Sequence, residues 1–259
     1  MVCTRSESQL GNISHRGTLL ARYCAGDCEG VWREIHSYTN LDDALRDEVM
    51  AVAEETMRRG ARNADLLAER LEAQGWHALS GQLRTKPQAS DRLVIGDIER
   101  ITGHRLPPSL RAFWTIVVGI DFIWDYHSKG TVPDLGVDLP IDEMDPLCVD
   151  APGGYPACLV QEWEEEAAST SDGVELPLHL GLSPDDLTKI NVSGGLEYGM
   201  ALPFHGADPV FAGEYHKLPF VSYLRLAFRW AGFPGLERFA DRPDVQQFVA
   251  TFGEGFEPF

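Results

Sequence analysis

Apolar positions along the chain recur first at helical spacing and later in shorter, strand-like runs. Thr18 to Cys24 predicts a short helix, and a second helix begins at Cys28 with Asp27 as its cap and Val31, Trp32 and Ile35 as its apolar face. Thr39 or Asn40 caps a third segment, in which Leu45, Val49, Val52, Ala53, Leu66, Leu67 and Leu71 fall on one side. Gly60 is a weak point within it, and Gly75 is its natural stop. A one-sided stripe is not stable alone in water, so residues 18–75 are expected to lie as an α-helical extension on the rest of the protein. Residues 1–16 are polar and aperiodic and read as a frayed tail.

Residues 80–90 are polar, contain Pro87, and read as a linker. Beyond them Leu93, Ile98 and Ile101 predict one face of a short helix ended by Gly103. Leu106-Pro107-Pro108-Ser109 starts the next helix, with Leu110, Phe113, Trp114 and Val117 buried. Gly119 stops it, and Ile120 to Tyr126 alternates as a strand does. The stretch 133–175, rich in Pro, Gly and Asp, predicts two short strands near Leu147-Cys148-Val149 and Leu176 to Leu180. Long loops join them, and Trp163 is their anchor. Ser183 caps a helix with Pro184 at its first position and Asp185 and Asp186 near its positive end. A turn at Ser193-Gly194-Gly195, a strand from Tyr198 to Leu202 and an apolar helix from Phe220 to Trp230 follow, closed by Gly232 and Pro234. There is no internal repeat. Three regions result: a tail and helical extension over 1–80, an α+β domain over 92–240, and a C-terminal tail over 241–259.

Within the second region, the run Ile98-Glu99-Arg100-Ile101-Thr102-Gly103-His104-Arg105-Leu106-Pro107-Pro108-Ser109-Leu110-Arg111-Ala112-Phe113-Trp114 resembles the opening motif of the SUKH superfamily, the Smi/Knr-type domains. In that pattern an isoleucine–glutamate helix leads through a Leu-Pro turn to a second helix bearing aromatics. The resemblance spans roughly residues 92–235. It departs at Val118-Gly119-Ile120-Asp121-Phe122, where family members often carry paired glycines and this chain has one. What it implies is a mixed sheet packed with helices, no catalytic residues, and frequent bacterial roles as immunity proteins that bind and neutralise a toxin domain. Other relatives act as regulatory binding domains.

Composition and charge sharpen this reading. The 259 residues, 44% hydrophobic, suffice for a sizeable core without a disulfide or metal staple. No stretch approaches a membrane span, and the N-terminus has neither a signal peptide nor a lipidation motif, so a cytoplasmic address is expected. A net charge of −18 argues against nucleic acid as a partner. Between Lys129 and Lys189 there is no Lys or Arg, so the negative field is local. Asp142, Glu143, Asp145, Glu164 and Glu165 are the expected contacts for a basic protein partner.

Three chemical alternatives carry less. Cys24, Cys28 and His36, joined by Cys148 or Cys158, approximate a zinc set without the usual paired spacing. Asp134, Asp138, Asp142 and Asp145 are spaced acids that lack the glycine of an EF-hand loop. His127, His179, His205 and His216 are candidate bases for a Cys148 nucleophile, yet no catalytic motif accompanies them. No enzyme and no cofactor is expected. Arg58, Arg59, Arg62 and Arg70 form a basic helix face, read as solvated in preference to a dock for an acidic segment.

Overall fold

A computed structural model describes residues 18–169, 178–192 and 194–259, so the expected frayed tail and Cys3 lie outside the described residues. The fold is α+β, as the sequence predicts. Its axis is α3, a 31-residue helix over Asp43–Ala73. Asp42 caps it by accepting from the Leu45 amide, so neither Thr39 nor Asn40 is its cap. Val49, Val52, Ala53, Thr56, Met57, Gly60, Asn63, Ala64, Leu67, Ala68 and Leu71 form its buried stripe. Gly60 does not break the helix. It lies within the stripe, where the Phe259 ring would be 3.9 Å from an added Cβ.

α1 (Leu19–Cys24) and α2 (Cys28–His36) lead into this axis. Tyr23, Val31, Trp32 and Ile35 are buried, and the Trp32 indole donates to Thr56 of α3 at 3.0 Å. Asp27 occupies the cap position of α2 but makes no capping bond; its carboxylate takes Arg22 instead, at 2.8 Å.

Residues 80–90 are not a free linker. Leu83 and Arg84 are buried there, and Arg84–Thr85 is strand β1. The Arg84 guanidinium bonds Asp65 of α3 at 2.9 Å and the carbonyls of Val117 and Gly119 at 2.7 and 2.6 Å. α4 (Ala89–Thr102) buries Ile95, Ile98 and Thr102 and leaves Leu93 73% exposed, so the apolar face is shifted from the expected one. α5 (Pro108–Ala112) runs directly into a π-helical turn, Phe113–Val117. Val118 closes that turn at φ 71° and ψ −69°, a strained conformation for a β-branched residue.

The sheet is smaller than expected, and the described strands pair only antiparallel, not as one mixed sheet. β2 (Gly119–Asp121) lies between β1 and β3 (Cys148–Val149), with Ile120 opposite Arg84 and Val149. Beyond Asp121 the strand gives way to isolated contacts, with the Phe122 amide on Leu147 and Trp124 bridged to Ala78, while Phe122, Ile123 and Trp124 are all buried and do not alternate. β4 (Leu178–Ser183) and β5 (Tyr198–Leu202) form a second sheet, joined to the first by an Asp150 N–H donating to Leu182 at 2.7 Å. Gly199 is required in β5, since a Cβ there would stand 2.2 Å from the Leu180 carbonyl oxygen.

Between β3 and β4 the expected loops give way to a helix, α6 (Tyr155–Ser169), which packs on α4 and β4. α7 (Asp186–Lys189) is capped by Asp185, while Ser183 belongs to β4. α8 (Phe220–Arg229) and α9 (Pro243–Phe252) complete the helices. Residues 241–259 are therefore not a tail. Val245, Phe248, Phe252 and Phe259 are buried, and Asn63 exchanges two bonds with Glu257, at 2.9 and 2.8 Å. The basic face of α3 is occupied by the same segment: Arg62 grips Glu257, while Arg59 and Arg70 donate to the carbonyls of Pro258 and Phe252. Phe259→Ala is expected to destabilise the fold by about 3 kcal/mol or more, by opening a cavity against Gly60 and Phe228. A urea midpoint equal to that of the parent chain would show that the C-terminal segment does not support the core.

Candidate functional site

The fold divides the acidic stretch into groups with different surroundings. Asp142 and Glu143 lie in a 3-10 turn, Ile141–Glu143, beside α7. Asp142 is exposed, whereas Glu143 pairs with Arg238 at 2.9 Å. Asp145 meets the Lys189 ammonium at 2.7 Å. That lysine is fully buried and lies 4.6 Å from the centre of the Tyr198 ring, so the pair compensates a charge inside the protein. Glu164 and Glu165 stand on α6, a helix that packs on α4 and β4 and not on the 141–143 turn. The five expected contacts thus do not form one cluster.

α6 displays a different combination. Pro156 and Val160 are buried and Trp163 half-buried, which turns the opposite side of the helix outward. Tyr155, Glu162 and Glu166 follow one another along that outer side, with Glu165 next to them; Glu164 is at the other margin, because successive residues turn by about 100°. The Tyr155 hydroxyl donates to Glu197 at 2.8 Å. Burial and the Glu197 and Glu162 carboxylates push that hydroxyl's pKa up to about 12, so it stays a donor. Gly181 of β4 allows this meeting, since an added Cβ would stand 3.1 to 3.3 Å from Leu159, Glu197 and Tyr155.

Next to Glu197 an apolar loop is held open to solvent. The Val192 amide bonds the Leu187 carbonyl, and Gly194 fits against Asp185 and Thr188 where a Cβ would collide. Leu187, Val192 and Leu196 are left 44%, 50% and 62% exposed, and Tyr155 43%. Asp186 and Glu197 adjoin Leu187 and Leu196 in the chain, and Glu162 acts on Tyr155; none of these, nor Glu165, has a Lys or Arg partner among the described residues. Sequence reading missed Tyr155, Leu196 and Glu197. The signal was there in part: Pro156, Val160 and Trp163 recur at helical spacing after the Pro152-Gly153-Gly154 turn.

The other candidate chemistries fall apart in space. Cys24 is exposed and Cys28 buried, and His36 turns to Asp208 at 2.9 Å, not to either cysteine. Among the spaced acids, Asp134 accepts from its own loop at Gly136, while Asp145 takes Lys189. Among the described residues, no three His, Cys, Asp or Glu side chains converge as metal ligands do. His179 bonds the Glu197 carbonyl, and His216 bonds Glu214 and Glu237. Cys148 is buried beside Asp121, Asp150, Lys189 and Ser183, and burial followed by the two aspartates raises its thiol well above the ordinary range. A protonated, enclosed thiol is a poor nucleophile.

Compared with family models, curated proteins and solved structures, the chain matches none. Among the described residues, no helix is long and apolar enough to cross a membrane.

The interior acids set a pH dependence. Burial, then the charge of Asp121, pushes Asp150 up to about 6. The folded chain therefore holds a proton there that the unfolded chain releases near the ordinary aspartate value. This contribution to stability is full below about pH 4 and is lost as pH rises through about 6. Asp150→Asn is expected to flatten that loss and to stabilise the protein at pH 7.5 by up to about 3 kcal/mol. Urea unfolding of both proteins at pH 4.5 and 7.5 checks this; parallel pH dependences would refute it.

Proposed function

We propose that the chain is a protein-binding module that docks a basic partner on the α6–β5 face. The observation that carries this is the exposure of Tyr155, Leu187, Val192 and Leu196, with Glu197 bonded to Tyr155, Asp186 next to Leu187 in the chain, and Glu162 and Glu165 exposed on α6. Exposed aromatic and aliphatic side chains within a polar rim have the composition of a recognition surface. The surrounding carboxylates select positive charge and speed encounter with it. Of the acids expected from the sequence, Glu164 and Glu165 are exposed on α6 and add to the negative field of this face. Glu143 and Asp145 serve internal pairs.

The resemblance of Ile98–Trp114 to SUKH domains supports an immunity role, with a secreted toxin domain as the basic partner. A regulatory or scaffold role would use the same face. Capture from the native cell extract at low and high salt identifies the partner, and stoichiometric inhibition of a captured toxin domain separates immunity from regulation. Replacing Glu162, Glu164 and Glu165 together by Gln is expected to slow association about ten-fold at low salt, with little change in dissociation. Leu196→Ser with Tyr155→Ala should instead speed dissociation. Biosensor rates indifferent to both sets of substitutions and to salt would remove this face from recognition.

A further inference from the structure

A pocket of about 360 Å³ opens between α2 and α8, walled by Trp32, Leu218 and Leu226 and fringed by Arg33, Arg225 and Arg229. Its volume is in the range of small-ligand sites. The charge is the unusual feature. In a chain of net charge −18, most described Arg side chains pair with a carboxylate, yet Arg33 and Arg229 do not. Arg33 and Arg229 are exposed and have no hydrogen-bond partner among the described residues.

Arg225 is half-buried, and burial lowers its pKa. Its Nε and Nη2 donate to oxygens of Phe259 and Cys28, and Tyr23 and Asp208 lie close enough to act on its charge. These bonds fix the guanidinium in orientation. His36 stands on the same wall, its Nε2 2.9 Å from Asp208, which is fully buried and also accepts from the Val221 amide. Ser222 adds a hydroxyl. Arg33 and Arg229 are thus the cations of this pocket with no acidic partner, beside Glu29 on the wall and Asp208 behind it.

We propose that this pocket binds the phosphate group of a small phosphorylated metabolite. Guanidinium forks are matched to tetrahedral oxyanions, and Arg33 from α2 and Arg229 from α8 approach from two helices. A phosphate monoester offers several free oxygens to such a pair, where a carboxylate offers two in one plane. The volume exceeds what phosphate alone fills, so Trp32 and Leu226 are left to contact the remainder of the ligand. The site shares no residue with the α6–β5 face and does not depend on the partner reading.

The test uses the full chain with inorganic phosphate and phenyl phosphate as probes, and chloride and acetate at equal ionic strength as controls. Both phosphates are expected to raise the melting midpoint above either control, and calorimetry should give a single site. Arg33→Gln with Arg229→Gln should weaken phosphate about ten-fold or more while leaving the midpoint in chloride unchanged, because both side chains are exposed and unpaired. Arg92→Gln, a substitution of an exposed cation away from the pocket, should leave the phosphate increment intact. An equal midpoint in acetate and phosphate would overturn the proposal. So would a phosphate increment that survives in the Arg33/Arg229 variant, or one that Arg92→Gln abolishes.

Discussion

Burial of one side of α3 is the constraint on which the rest of the structure depends. A helix of 31 residues with an apolar stripe and an otherwise polar surface gains little from propensity alone and must be covered along its length. The chain covers it from both ends. Trp32 reaches Thr56 from the N-terminal side, while Asn63 and Gly60 receive Glu257 and Phe259 from the C-terminal side. Arg84 ties Asp65 to the first sheet, and Gly232 approaches Leu67 so closely that a Cβ would stand 2.6 Å from it. Segments nearly two hundred residues apart in sequence thus become neighbours, and the helical region cannot be separated energetically from the strands it supports.

Charge is distributed by the same packing. The fold spends its cations internally: Arg62 on Glu257, Lys189 on Asp145, Arg238 on Glu143, Arg84 on main-chain carbonyls. Two regions bear on binding. One is the outer side of α6 with the loop before β5, which is negative and partly apolar. The other is the pocket between α2 and α8, where Arg33 and Arg229 have no acidic partner among the described residues beside apolar walls. A strongly acidic chain therefore presents two surfaces with different physical demands on what binds them.

The interior polar groups explain why a reactive centre does not follow from the presence of a cysteine and several histidines. Register places Cys148 opposite Asp121, and Asp150 completes a group of acids around the thiol. Carboxylates and low polarity both oppose the thiolate. His179 is held through Nε2 by the Glu197 carbonyl, and both ring nitrogens of His216 are taken by Glu214 and Glu237.

Local pattern was enough to determine the α+β class, the positions of α2, α5, β5 and α8, and the one-sided character of α3, because each depends on spacing within a few turns of chain. Periodicity also carried the apolar side of α6, although Pro, Gly and Asp on either side of it read as loop. What tertiary structure alone decided was pairing over long separations. Residues 80–90 look like a linker until Arg84 finds Asp65 and two carbonyls; residues 241–259 look like a tail until Phe259 finds Gly60. Five acids close in sequence separate into two ion pairs, an exposed turn position at Asp142 and an exposed helix, while Arg33 and Arg229, 196 positions apart, come to line one pocket. Composition fixes how many charges there are, but which of them remain unpaired is set by distances that only the folded chain creates.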